Sequence, residues 1–263
     1  MEYIIKLLSF YKEKIKMFHV KQFEKLEKFC MENNLLYSDE IDQQFANFYE
    51  YLIEKNKVMN LTTVTDKSEV EIKHFIDSAE AAAFIQKYTA NISEPSVVDI
   101  GTGAGFPGIP LKILLPDIHF TLADALNKRI SFLNEVIEIN HLKKISAIQG
   151  RAEDIGQSKL RESFDICVSR AVADMSVLLE YCLPLVKVGG HVILYKSGEF
   201  KEELENAAYA LDLLGGELKE CVEFNLPESS ISRSLIILYK GKAAPEKYPR
   251  RSGKPSKSPI TNK

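Results

Sequence analysis

Tryptophan is absent from this chain and cysteine is sparse: Cys30, Cys167, Cys182 and Cys221 stand far apart, with no C-x-x-C and no Cys/His cluster at zinc spacing. Neither a disulfide framework nor a metal site is indicated, and the four thiols read as reduced, mostly buried residues. Long apolar runs are missing too. The N-terminus is apolar but studded with Lys6, Lys12, Lys14 and Lys16, and no stretch approaches the ~18 residues a membrane span needs. A cytoplasmic chain without a membrane partner is expected. Net charge is also small: 34 Lys+Arg against 37 Asp+Glu leave −3. Such a chain does not coat nucleic acid indiscriminately, so any nucleic-acid contact must come from local patches.

What is present is a globular composition, 45% hydrophobic over 263 residues, enough for one catalytic domain with a smaller appendage. Residues 1–90 have few glycines or prolines, and apolar residues recur at three and four (Phe18, Phe23, Leu26, Phe29; Phe45, Phe48, Tyr49, Leu52), which predicts a helical lobe. Ser38-Asp39-Glu40 and Thr65-Asp66 with Glu69 read as helix starts, and Asn56 to Thr62 as a helix end. From residue 96 strands alternate with helices, the mark of a parallel sheet with crossover connections. Strands are expected near 96–100, 118–124, 144–149, 164–169, 190–196, 218–225 and 232–240. Only the short loop Leu226-Pro227-Glu228-Ser229-Ser230 separates the last two, so they should form an antiparallel hairpin at the sheet edge. Gly189-Gly190 reads as a helix-stop turn before the fifth strand.

The chain's chemistry centres on Val97-Val98-Asp99-Ile100-Gly101-Thr102-Gly103-Ala104-Gly105-Phe106-Pro107-Gly108. A β-branched run ends in an acid, glycines follow at alternate positions, and apolar helical spacing resumes. Glycine permits a turn with φ > 0 and close approach of a ligand to helix N-terminal N–H groups; a glycine-rich turn with no ligand is the plainer alternative. Nicotinamide-binding domains usually carry G-x-G-x-x-G and continue βαβ. The G-x-G-x-G spacing and the terminal hairpin here instead match Rossmann-like S-adenosylmethionine-dependent methyltransferases. Ligand residues in such a sheet follow the strand ends. The second strand ends at Asp124, 23 positions past Gly101, near the spacing of a ribose-binding acid. The third runs into Gly150-Arg151-Ala152-Glu153-Asp154, where a backbone N–H and a carboxylate could read an adenine edge. The fourth runs into Ser169-Arg170-Ala171. Taken singly, each acid could equally be a helix cap.

The fourth strand end lacks an Asn/Asp-Pro-Pro-aromatic turn for amine methylation, and no cysteine follows Pro or Thr as a C5-directed nucleophile would. Cys167 and Cys182 read as core thiols. What remains is an acceptor that already owns a lone pair, such as a guanine ring nitrogen, which needs positioning more than a base. Arg170 could grip guanine O6, a phosphate or the donor's carboxylate, or form a structural salt bridge. Residues 240–263 hold eight Lys/Arg against Glu246 alone. Tyr248-Pro249-Arg250-Arg251 suits phosphate contact plus stacking on an unpaired base; a merely solvated tail is the plainer reading.

Six motifs in order resemble the RsmG (GidB) family: Asn56 to Thr62 with His74-Phe75-Ile76-Asp77-Ser78; Asp99 to Gly108; Asn127-Lys128-Arg129 with Phe132-Leu133; Arg151-Ala152-Glu153; Arg170-Ala171-Val172-Ala173; and Tyr248-Pro249-Arg250-Arg251-Ser252-Gly253. The resemblance runs from about residue 17 to the end. It implies methylation of guanine N7 in bacterial 16S ribosomal RNA with S-adenosyl-L-methionine as cofactor, and an α/β fold: a seven-stranded, mostly parallel sheet with an antiparallel edge hairpin plus a helical lobe. It assigns donor contacts to Gly101, Phe106, Ala152, Glu153 and Arg170, alongside Gly103, Gly105 and the ribose position Asp124. It makes Arg170, His74 and Arg151 the catalytic candidates, overriding the bland reading of His74 as a helix-surface histidine, and Lys128, Arg129, Tyr248, Arg250 and Arg251 the RNA contacts. The expected division is residues 1–90 (1–16 an extension before the usual family start, with no function assigned), 91–240 the methyltransferase domain, and 241–263 a basic RNA-contacting tail. A monomer working on 16S ribosomal RNA or the small subunit, without a metal, is expected. Ala125 stands where the family usually has Ser, which removes one donor-side hydroxyl. The alternatives are a small-molecule or protein methyltransferase on the same donor domain, and a non-enzymatic RNA-binding assembly protein.

Overall fold

Seven strands form one sheet: β1 (Ser96–Ile100), β2 (His119–Asp124), β3 (Ile145–Gln149), β4 (Phe164–Arg170), β5 (Val186–Ser197), β6 (Gly216–Asn225) and β7 (Ser232–Lys240). The structure is a computed structural model that describes residues 21–170, 173–198 and 200–262. The 1–16 extension, Phe18, and Ala171-Val172 of the Arg170 motif lie outside the described residues. Strand order is β3-β2-β1-β4-β5-β7-β6. β3 through β5 are parallel, and β7 runs antiparallel to both β5 and β6. The chain winds outward from β1 to β3 and then returns to the other side of β1 with β4, so the switch point lies between β1 and β4, where this topology opens a crevice at the strands' carboxyl ends.

Because successive strand residues face opposite ways, the sheet separates two cores. Val97, Leu122, Ile166, Val168 and Ile193 face one, and Val98, Ala123, Cys167, Val192 and Leu194 face the other. The first core is shared with the N-terminal helices α1 (Glu24–Glu32), α2 (Asp39–Met59), α3 (Lys67–Ala79) and α4 (Ala82–Thr89) and with α5 (Gly108–Leu114) and α6 (Asn127–Ile139). The second is covered by α7 (Ala152–Gly156), α8 (Met175–Cys182), α9 (Lys201–Asn206) and α10 (Ala208–Leu213). The expected helix starts are present: Ser38 Oγ accepts from Ile41 N and Asp66 Oδ1 from Glu69 N. Asn60, in the left-handed region, ends α2. The middle of α3, Glu71–Ile76, is wound as a π-helix, a departure that often marks functional positions. His74 within it and Asp77 just after it face the end of β4.

Two expectations change. Gly189-Gly190 is no helix stop but part of β5, which begins four residues earlier than expected, at Val186. The register with β4 jumps there, Gly189 has φ +92, and a Cβ on Gly190 would stand 2.5 Å from Asp165 O, so the pair builds a bulge where two backbones nearly touch. The basic segment after β7 is also no loose tail. It lies along α7 and α8, burying Ala244, Tyr248 and Ile260 in the second core, and ends in a short helix α11 (Lys254–Lys257).

Candidate active site

The β1–α5 loop turns back over β2: Gly101 N and Thr102 N both donate to Ala123 O, at 2.9 and 3.1 Å. Gly101, Gly103 and Gly105 all have positive φ (71, 60 and 92°). Their surroundings differ. A Cβ on Gly105 would meet Ile109 at 2.6 Å, whereas one on Gly103 would find only Gly101 O at 3.9 Å and otherwise open space. Asp99 accepts from Gly108 N at 2.9 Å, tying strand to helix; complete burial pushes its carboxyl up to about 7.

Next to this loop a cavity of about 240 Å³ is lined by Gly101, Asp124, Leu126, Ala152, Glu153 and Tyr181, among others. Asp124, at the end of β2, holds the loop through Gly103 N (3.0 Å), caps its own turn through Leu126 N (2.9 Å) and pairs with Arg129 at 3.0 Å. Those bonds occupy three of a carboxylate's roughly four acceptor directions. A ribose hydroxyl would take the fourth or the place of Arg129, whose side chain is 37% exposed. Arg129 is therefore paired with Asp124, a different placement from the expected phosphate contact. The open face above Gly103, the acid at the end of β2 and the Leu126–Ala152 wall fit the adenosine part of S-adenosylmethionine.

Across the switch point, at the end of β4, lies a second cavity of about 450 Å³ lined by Lys73, His74, Asp77, Arg170, Lys196 and Arg233, among others. Asp77 is buried. It accepts from Arg170 Nη1 at 2.8 Å and lies 3.6 Å from Arg233 Nε. Burial raises its carboxyl above the ordinary value, with both guanidinium groups pulling the other way. Arg170 also lies over the Phe106 ring, 5.1 Å from its centroid, and His74 stacks on that ring at 4.6 Å. Phe106 itself is 7% exposed and packs at 5.2 Å against Phe48, so it anchors the glycine loop to the helical lobe and offers little surface to a donor. His74 Nδ1 is 3.0 Å from Lys73 O and must carry the proton, which leaves Nε2, 2.8 Å from Thr62 Oγ1, as acceptor. Burial, with Arg170 as a secondary cause, lowers its pKa to about 4. His74 is thus a neutral, fixed ring with both nitrogens engaged, unsuited to act as a free base. Asp77, Lys196, Arg233 and Thr62 were not among the expected site residues. Asp77 and Thr62 lay inside quoted motifs, while Lys196 and Arg233 carry no local signal beyond alternation on β5 and β7.

The remaining candidates divide. Lys128, Arg151 and Arg251 are exposed. Arg250 is not free: its Nε and Nη2 grip the fully buried Glu180 at 2.6 to 3.1 Å, and its backbone N donates to the same carboxylate at 2.7 Å. Tyr248 is 8% exposed, so neither residue has the expected role of an exposed phosphate or base contact. Glu153 is likewise buried and accepts from Gly253 N at 2.8 Å. Lys240 is buried against Glu162, Leu183 O and Val186 O. Cys167 is buried and its thiol is pushed well up by desolvation, the opposite of an activated nucleophile.

The doubly wound sheet with its terminal hairpin, the glycine loop over β2 and the acid at the end of β2 define a class I S-adenosylmethionine-dependent methyltransferase. A carbon methyltransferase of known structure, CurJ, superposes with a TM-score of 0.51 at 12% identity, covering 64% of this chain and 55% of that one; this likeness concerns the fold alone. Residues 41–248 match the GidB family model, described as rRNA small subunit methyltransferase G. The chain is 52% identical over 222 residues to the ribosomal RNA small subunit methyltransferase G of Lachnoclostridium phytofermentans, covering 84% of this chain and 90% of that one. Against the protein of the same name from Staphylococcus saprophyticus it is 47% identical over 226 residues, covering 86% and 93%. The chain belongs to the GidB family.

Proposed function

We propose that this enzyme transfers the methyl group of S-adenosylmethionine to N7 of a guanine in the RNA of the small ribosomal subunit, in the cytoplasm. The observation that carries the reading is the pairing of two cavities across the β1/β4 switch point, one with a nucleoside-binding acid and the other ringed by Lys73, Arg170, Lys196 and Arg233. The first suits the donor. The second suits an anionic polymer whose base must enter beside the donor.

When bound, S-adenosylmethionine supplies an electrophilic methyl group on a sulfonium. Among the described residues lining the second cavity none is a thiol, and the histidine there has both nitrogens engaged. An acceptor that must lose a proton is poorly served by such a site, whereas guanine N7 attacks with its own lone pair and loses none. The residues then act by positioning. Arg170 is held against Asp77 and Phe106 and presents the rest of its guanidinium fork to guanine O6 or a phosphate. Lys128, Arg151, Arg251, Lys254 and Lys257 are exposed and suit contacts to the RNA backbone. Incubation with methyl-labelled donor and purified ribosomal particles tests the reading: label should enter the small-subunit RNA and not the large-subunit RNA. Label in neither, with the donor bound, would reject it.

A further inference from the structure

The buried anchors of the C-terminal segment converge on the wall of the donor-side cavity, and nothing in the transfer reaction described above uses them. Glu153 and Tyr181 line that cavity. The Glu153 carboxylate is 4% exposed and receives the N–H of Gly253, a glycine whose φ of +78° places it in the left-handed region. Asp154, one residue on, accepts from Ser252 Oγ at 2.8 Å. Tyr181 lies near Ser256, and its sequence neighbour Glu180 carries the Arg250 clamp. Upstream, Gln157 Nε2 donates to Pro249 O at 2.7 Å, and Pro249 packs so closely on Gly156 that a Cβ there would come within 2.7 Å of it. One segment, 249–256, therefore holds α7 through Glu153, Asp154 and Gly156 and the end of α8 through Glu180.

We propose that residues 249–256 are a working part of the donor site, with Arg250 and Gly253 acting as positioning residues that hold Ala152-Glu153 and Tyr181 in register to receive the adenosine. Neither residue touches the donor. The α7 helix spans only Ala152–Gly156, too short to be stable by itself, and α8 presents Tyr181 from its last turn. Without the strap, both elements would sample orientations in which the cavity is not formed, and donor affinity falls by the fraction of time the wall is misplaced. Glu153 thereby takes a role other than direct adenine recognition: its carboxylate fastens the strap and leaves the Ala152-Glu153 backbone facing the cavity. The inference rests on the reading of this cavity as the donor site.

Titration calorimetry with S-adenosylmethionine alone, well below the unfolding temperature, tests it on the full chain without RNA. Arg250→Ala should weaken donor binding about tenfold and Arg250→Lys by an intermediate factor, since an ammonium keeps the charge but not the fork. Arg250→Ala leaves Glu180 buried and unpaired and can fail to fold. The double variant Glu180→Gln with Arg250→Gln leaves no buried charge, and it should fold yet bind the donor about tenfold more weakly. A folded double variant with wild-type donor affinity would overturn the inference. If the wild-type chain itself bound no donor, the assignment of the cavity would fall first, and the inference with it.

Discussion

Two glycines five residues apart on the β1–α5 loop make a sharp comparison, because adding one methyl group to each should break different things. Gly103 has φ +60 and open space where a Cβ would stand. Gly103→Ala then costs only the strain of an L-residue in the left-handed region, about 1–2 kcal/mol, which lowers Tm by about 2–8 °C in a chain of this size. With the donor placed against this loop, the new methyl group would fill that open space, so donor affinity should fall about tenfold or more. At Gly108 a Cβ would lie 2.2 Å from Leu122 Cδ2 and 2.8 Å from Asp99 Oδ2, contacts that face the core. Gly108→Ala should cost about 1–3 kcal/mol of overpacking yet leave donor affinity within about threefold. Calorimetry with S-adenosylmethionine and a thermal melt of each variant give the four numbers required. Wild-type donor affinity in Gly103→Ala, or a loss confined to Gly108→Ala, would refute the placement of the donor against this loop.

Other consequences follow from the second cavity. Asp77→Ala leaves Arg170 and Arg233, with side chains 13% and 30% exposed, without their shared carboxylate. Partial solvation of the two arginines places the cost below that of a fully buried pair, at about 2–3 kcal/mol, or about 5–10 °C in Tm by differential scanning calorimetry; an unchanged melt would show the pair to be incidental. The His74 ring should stay neutral down to about pH 4 in an NMR titration, and a midpoint near 6.5 would contradict the bonding of both nitrogens. A depressed histidine pKa means that the unfolded chain takes up the proton first. The contribution of His74 to stability is then complete above about pH 6.5 and is lost as pH falls toward 4, so the stability gap between wild type and His74→Asn should narrow over that window by up to about 3 kcal/mol.

Much of the fold was legible in the sequence because its signals are local. The apolar runs around Val97, Leu122, Ile148 and Ile166 gave strand positions to within a residue or two for β1 to β4, and the helix caps at Ser38 and Asp66 are short-range bonds that a single sequence displays. β5 was misjudged at its start because Val186-Lys187-Val188-Gly189-Gly190 looks like a turn; the close approach of Asp165 O that calls for Gly190 comes from a different strand. The candidate site divided along the same line. Asp124 and the glycines were visible from strand-end position, whereas the Arg250–Glu180 clamp and the Gly253–Glu153 bond span 70 and 100 residues and leave no mark in the local pattern. Without them a basic, proline-containing segment reads as an RNA tail, and its half-buried arginine and buried tyrosine are taken for surface contacts. The π-helical turn in α3 was hidden for the opposite reason: it shifts a helix face that already looked ordinary.

The proposed product carries a methyl group on guanine N7 of small-subunit ribosomal RNA. Methylation at N7 gives the base a fixed positive charge and makes the nucleotide susceptible to reduction with borohydride followed by chain scission with aniline. Small subunits lacking the modification, treated with this enzyme and S-adenosylmethionine, should then yield one new cleavage site in their RNA, absent when the donor is omitted. Incorporated methyl label without aniline-sensitive cleavage would contradict the account, because the acceptor would then be an atom other than N7.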